Sequence, residues 1–291
     1  MVRVEPPLDR QAVIVRGLGV ILLASFLFGA MAVCVRVAAR DLAASQIAFV
    51  RFAGSLLVLL LLRRGRRLRP QAAALSRVLL RGLLGASAIL LYYRGIQGAG
   101  AGFATLLQCT YPVFTALFAT TLLGERFAAV LGVALALNLI GVVIIIGPSA
   151  EISPGVLAGG LSALGAAVLS GGAVATARQL RGTESAWLIT TYFMAVGVAC
   201  TAPALLLDAP ALSPGLLLAL TGVVITSVCG QILLHYGLGF TAATQASLAA
   251  TTSVVTAAAL EALWLGEHLS RHTLLGAAFM LAAIALAAGR Q

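Results

Sequence analysis

The sequence contains no lysine, and its 291 residues carry only nine acidic side chains and three histidines. Without lysine, chemistry that needs an amine nucleophile or a Schiff base has no residue to use. Charged residues make up 10% of the chain, against roughly 25% in an average soluble domain. So few charges cannot cover the exterior of a soluble globule of this length, and a water-soluble catalytic module is excluded. The four cysteines, Cys34, Cys109, Cys200 and Cys229, stand alone in apolar stretches with neither CxxC nor Cys/His spacing. They read as small core residues, with no metal site and no disulfide framework.

Apolar residues fill the space that charge leaves, at 61% of the chain before its 31 glycines are added. At roughly 20 apolar residues per helical crossing, this length accommodates about ten crossings and no sizeable aqueous domain. Apolar runs broken by charge, glycine, proline or turn residues predict helices at 13–38, 42–62, 78–97, 100–122 and 127–147. Five more are expected at 154–177, 186–207, 214–237, 242–264 and 273–288. Pro148, Pro154 and Pro214 fall near helix ends, and the run from Gly98 to Gly102 permits a tight turn. Arg3, Arg10 and Arg16 precede a first run containing Ala30-Met31-Ala32, which has the look of a signal-peptide cleavage site. Because that run continues to Ala39, it is expected to be kept as the first crossing.

The arginines set the orientation. With the amino terminus inside, Arg3, Arg10, Arg16, Arg63, Arg64, Arg66, Arg67, Arg69, Arg77, Arg81, Arg126, Arg178, Arg181 and Arg290 fall on the cytoplasmic side. Arg36, Arg40, Arg94 and Arg271 fall outside, and Arg51 lies within the second crossing. The positive-inside rule therefore places both termini in the cytoplasm of an inner, or plasma, membrane. A net charge of +10 placed this way faces anionic lipid, and no nucleic-acid surface is expected.

A shift of 142 residues lays Leu123-Gly124-Glu125-Arg126 over Leu265-Gly266-Glu267-His268, and Gly95 over Gly237. Thr105 then falls on Ser247, Cys109 on Thr251 and Tyr93 on His235, while the earlier crossings match less clearly and need a small change of offset. Five crossings per half is an odd number, so the copies enter the membrane from opposite sides. The expected fold is an all-α polytopic membrane protein of ten transmembrane helices in two inverted five-helix repeats, residues 1–148 and 149–291. Two such bundles can rock about a midplane site, as a carrier does, although a duplication kept for packing alone would leave the same trace.

The ten runs, the repeat and the duplicated Leu-Gly-Glu resemble the drug/metabolite transporter superfamily, EamA type. Phe28-Gly29, Phe49-Val50-Arg51-Phe52 and Tyr111-Pro112-Val113-Phe114 are similar to its first-half pattern. Within it the chain is most similar to the YddG-type exporters of aromatic amino acids. It departs from the pattern in the second half, with Val254 where the first has Pro112 and Ala283 where the first has Gly141. The resemblance implies that crossings one and six close a central cavity.

Polar side chains recurring on one helix face in hydrocarbon should meet neighbours, water or cargo. Crossing four offers Thr105, Gln108, Cys109 and Pro112, and crossing nine offers Thr244, Gln245, Ser247, Thr251 and Thr252. Crossing eight offers Ser227, Gln231 and His235 at four-residue spacing, one face of a helix. Tyr92 and Tyr93 end crossing three, Tyr111 lies near the middle of crossing four, and Phe28 can supply an aromatic wall. Each has a plainer alternative: serine and threonine bond to their own backbone or glue helices, His235 serves structure, and Tyr92 and Tyr93 join an interfacial belt. Gln108 and Gln231 are the strongest candidates, because one neighbour rarely satisfies an amide. Arg51 requires a partner that the sequence does not identify, whether backbone, snorkelling or cargo. Glu125 and Glu267 sit at turns before helices, where capping is expected, and Glu261 is the candidate for proton coupling.

The expected function is export of a small amphipathic metabolite, aromatic and other neutral amino acids first, with no cofactor, no metal and no oligomer required. The alternatives are another metabolite or drug class, an intramembrane enzyme, and a sensor or assembly subunit. An enzyme is disfavoured by the lack of GxSxG, HExxH or paired carboxylates.

Overall fold

The computed structural model describes residues 10–66, 68–99, 101–126, 128–146, 154–206, 213–265 and 271–288. Their regular structure is helical: α1 Arg10–Ala38, α2 Ala44–Leu61, α3 Leu75–Ala99, α4 Ala101–Gln108, α5 Tyr111–Leu123 and α6 Ala129–Ile146. The second half follows with α7 Pro154–Leu180, α8 Ala186–Thr201, α9 Pro214–Gly237, α10 Ala243–Ala250, α11 Ser253–Leu265 and α12 Arg271–Ala288. Local chemistry sets several ends. Ser185 and Ser213 open α8 and α9 by accepting the backbone N–H of Leu188 and Leu216. Pro154 and Pro214 stand where no N–H is needed, and Gly124 closes α5 at a left-handed φ of 64°.

Among the described residues, six stretches are long and apolar enough to cross a bilayer: Val13–Ala38, Ala44–Leu61, Ala72–Ile96, Pro154–Leu180, Pro214–Gly237 and Ala243–Trp264. Four shorter apolar helices accompany them, Tyr111–Leu123, Ala129–Ile144, Ala186–Thr201 and Leu274–Ala287. Leu61, Leu122, Leu218 and Trp264 are more than half exposed on the outside of the bundle. Water would not tolerate such a surface, whereas hydrocarbon does. The chain is a multi-pass membrane protein.

Crossings four and nine, expected to be continuous, are each broken in two. α4 gives way to α5 at Cys109-Thr110, and α10 to α11 at Thr251-Thr252, positions separated by the same 142 residues. At the first break Pro112 withholds an N–H, and the Thr110 hydroxyl donates to the Leu107 carbonyl at 2.6 Å. The second break has no proline. There Thr251 and Thr252 donate their hydroxyls to Leu248 and Ala249 carbonyls, each at 2.7 Å. Backbone N–H groups of Thr110 and Thr252 reach back three residues instead of four, which tightens each turn.

The packing carries the 142-residue offset further than the sequence comparison expected. Gly95 of α3 lies against the Gly159 carbonyl and Ala163 of α7, and Gly237 of α9 lies against the Gly17 carbonyl and Ile21 of α1. Gly171 of α7 meets Phe114 and Thr115 of α5, and Gly29 of α1 meets Thr256 and Ala257 of α11. Every residue in one contact is 142 positions from its counterpart in the other, so α1 and α7 obey the shift as well. α1 starts beside the end of α9, and α7 starts beside the end of α3. The two ends of the bundle are named below the Arg81 face, where α3 begins and α9 ends, and the Tyr93 face, where α3 ends.

Two readings of placement are corrected. Arg81, expected at the cytoplasmic start of the third crossing, is buried, because α3 begins at Leu75, ahead of the expected 78, and carries it about 9 Å inward at 1.5 Å per residue. Of the four cysteines only Cys109 is buried; Cys34 and Cys200 are partly exposed and Cys229 is exposed, since a thiol is apolar enough to face lipid. Arg3, Arg67, Arg290 and Glu267 lie outside the described residues.

Candidate functional site

The face of α9 that carries Ser227, Gln231 and His235 turns inward, toward α2, α3 and α8. The Arg51 Nε of α2 donates to Ser227 Oγ at 2.9 Å, and its guanidinium adjoins the Tyr93 hydroxyl and the Phe52 ring. Ser227, Tyr93 and Phe52 are thus the partners that the sequence left unnamed for Arg51. Arg81 Nη2 of α3 donates to His235 Nε2 at 3.1 Å, and Gln231 Nε2 lies 3.3 Å from the same ring nitrogen. Arginine has no acceptor, so His235 Nε2 must accept, and the neutral ring carries its proton on Nδ1. That proton goes to Thr190 Oγ1 at 2.8 Å, and the Thr190 hydroxyl donates to the Ala186 carbonyl at 2.8 Å. The Phe193 ring covers the Arg81 guanidinium at 4.5 Å.

A second set of polar groups surrounds the helix breaks. Tyr92 and Thr105 share a hydrogen bond of 2.6 Å between their hydroxyls. Gln108 Nε2 donates to Ser170 Oγ at 2.8 Å, while its Oε1 is buried with no partner among the described residues. The Tyr111 hydroxyl donates to the Ser247 carbonyl at 2.9 Å and so joins the two broken crossings. Thr251 Oγ1 meets the Asn138 side chain of α6 at 2.7 Å. Gln245 is engaged in the framework, donating to the Ala287 carbonyl of α12 at 2.7 Å and accepting from Thr241. Phe28 packs on Gly230 of α9.

The structure therefore gathers Tyr93, Ser227, Gln231 and His235 with Arg51 in one group, and Tyr92, Thr105, Gln108, Tyr111 and Ser247 near the breaks. Gln245 and Thr251 point instead at α12 and α6. The side chain of Glu261 lies outside the described residues. Arg81, Thr190, Ser170 and Asn138 were not foreseen. A charge six residues inside a helix was the available signal for Arg81; the other three carry no pattern that separates them from ordinary helix packing.

On the Tyr93 face a cavity of about 470 Å³ lies between α2 and α3, lined by Ala44, Ser45, Ser87, Leu90, Leu91, Tyr93 and Arg94. The turn after α5 is fastened at the other face. Glu125 Oε2 accepts the Ala243 N–H at 3.2 Å, and Glu125 Oε1 lies 3.7 Å from Arg178 Nε. Glu125 thus caps α10. Burial pushes its carboxyl above the ordinary range, with the Ala243 N–H and Arg178 pulling the other way. Among the described residues no cluster of three His, Cys, Asp or Glu is placed to hold a metal.

The EamA-like transporter family matches this chain twice, over residues 15–147 and 157–289. The chain is 34% identical over 218 residues to the pseudopaline exporter of Pseudomonas aeruginosa, covering 73% of this chain and 74% of that protein. It is 27% identical over 211 residues to human solute carrier family 35 member G1, covering 67% of this chain and 57% of that protein. A solved crystal structure superposes with a TM-score of 0.80 over 94% of this chain and 96% of its own, at 18% identity. The chain belongs to the EamA-like transporter family, and it is a small-molecule membrane transporter rather than an enzyme.

Proposed function

We propose that the chain exports small amphipathic metabolites, aromatic and other neutral amino acids among them, by alternating access around a polar midplane path. The observation that carries this reading is the pair of broken crossings, 142 residues apart and joined by Tyr111 and Ser247. Discontinuous helices at the interface of two repeats supply unwound backbone and helix ends at membrane depth, where a carrier holds its cargo. The two halves, 1–148 and 149–291, act as inverted five-helix bundles with both termini cytoplasmic. The paired glycine contacts support this arrangement. Tyr92, Tyr93, Thr105, Gln108, Tyr111, Ser227, Gln231 and His235 line the path, with Phe28 as an aromatic wall.

The direction and breadth of cargo follow the relatives and the resemblance. The Pseudomonas relative is named for export of pseudopaline, which favours efflux of a small metabolite, and the YddG-type likeness favours an aromatic one. Facilitated exchange is preferred to proton coupling because titratable groups in the crossings are few, Glu261 and His235 being the candidates for a relay. Purified protein in liposomes should accelerate counterflow of radiolabelled phenylalanine in a saturable way. Rates equal to those of protein-free liposomes across the neutral amino acids would overturn the assignment of cargo.

A further inference from the structure

Two guanidinium groups lie inside the bundle with no acidic counterpart among the described residues. Arg51 and Arg81 are 7% and 4% exposed, too enclosed for a lipid phosphate to reach. No ion pair among the described residues involves either of them. Arg51 faces Ser227, Tyr93 and Phe52, and Arg81 faces His235 and Phe193, with Gln231 on the same ring nitrogen of His235 and Arg181 on its backbone carbonyl. None of these is a carboxylate. Uncompensated cations at membrane depth are costly, and a chain that keeps two of them gains when an anion arrives.

Arg81 is the less satisfied of the two. Its Nε and Nη1 are buried without a partner among the described residues, and Nη1 is accommodated over Gly85, where a Cβ would overlap both it and the Phe193 ring. Both guanidiniums also touch the same stripe of α9, Arg51 at Ser227 and Arg81 at His235, whose Nε2 Gln231 also approaches. Ser227 and His235 are eight residues apart, about 12 Å along a helix. A negative group entering at the Arg81 face would meet Arg81 first. The stripe then leads it to Arg51 behind Tyr93, beside the cavity where Arg94 adds a third cation. A single guanidinium at each station matches a singly charged carboxylate better than a phosphate dianion, which needs more donors.

We propose that the cargo is recognised through a carboxylate, with Arg81 and then Arg51 as its successive counter-ions along the α9 stripe. This rests on the carrier reading above and narrows it: the carboxylate is required and the amine is not. The test uses the full chain in liposomes and three probes with one aromatic body: phenylalanine, N-acetylphenylalanine and phenylalaninamide. Phenylalanine and N-acetylphenylalanine should be transported, and phenylalaninamide at least tenfold more slowly. Arg81→Gln should remain monodisperse, lower carboxylate flux at least tenfold and erase the discrimination; Arg51→Gln should act in the same direction. Should Arg81→Gln fail to fold, Arg81→Met decides, since its apolar chain fills similar space without the charge. Phenylalaninamide moving as fast as phenylalanine, or a folded Arg81 variant with undiminished selectivity, would overturn the proposal while leaving the carrier standing. Absence of flux for all three probes would overturn the amino-acid reading and this proposal together.

Discussion

The Glu125 carboxylate accepts the backbone N–H of Ala243 at 3.2 Å, fastening the turn after α5 to the first turn of α10. The contact crosses from the first half of the chain to the second, and it buries a carboxylate whose pKa is raised by desolvation despite the Ala243 N–H and Arg178. A carboxyl whose folded pKa exceeds its unfolded value binds its proton more readily in the fold. Its contribution to stability therefore grows as pH falls from the folded pKa toward 4.5 and is constant above the folded pKa. Thermal unfolding in detergent should show wild type gaining on Glu125→Gln through that acidic window, with a flat difference at higher pH. A difference that widens in favour of wild type with rising pH would contradict this.

Gly95 against the Gly159 carbonyl and Gly237 against the Gly17 carbonyl are equivalent contacts, and a backbone carbonyl cannot rotate away from an added methyl. A Cβ would lie 3.1 Å from one carbonyl oxygen and 3.0 Å from the other. Gly95→Ala and Gly237→Ala should each destabilise by about 1–3 kcal/mol through overpacking. Gly19→Ala, with nothing within 4 Å, should not lower the melting temperature, since alanine favours a helix interior over glycine, and serves as the control.

Tyr111 joins the two broken crossings through one hydrogen bond to Ser247. Tyr111→Phe keeps the ring and removes the donor, so stability should fall by about 1 kcal/mol, and flux should fall with it. Unchanged transport in this variant would separate the breaks from the mechanism.

Thr190 receives the proton of His235 Nδ1 and passes its own to Ala186. Thr190→Val leaves a buried N–H without an acceptor and should cost about 1–3 kcal/mol. Thr190→Ser should restore most of that, since it returns the oxygen without the methyl.

The long apolar helices and the 142-residue offset were legible because hydrocarbon demands long apolar runs and the Leu-Gly-Glu turns are duplicated. The Ser227, Gln231 and His235 stripe was equally legible, since four-residue spacing fixes a helix face. The breaks were not. Pro112 hinted at the first, but nothing in the run through Thr251 and Thr252 distinguishes hydroxyls that end a helix from hydroxyls that decorate one. The burial of Arg81 was missed because charge counting places an arginine near a helix start at the membrane surface, and only the partners across α8 and α9 reveal it. The use of Glu125 to cap a distant helix is a tertiary relationship that a turn motif does not encode.

Alternating access requires the Arg81 face to part from its neighbours during transport. Cysteines introduced at Glu125 and Ala243, with Cys34, Cys109, Cys200 and Cys229 replaced, place a cleavable crosslink across the contact that fastens that face. Transport in liposomes should stop on crosslinking and return on reduction. A locked protein that carries cargo at the rate of the unlocked one would contradict the account.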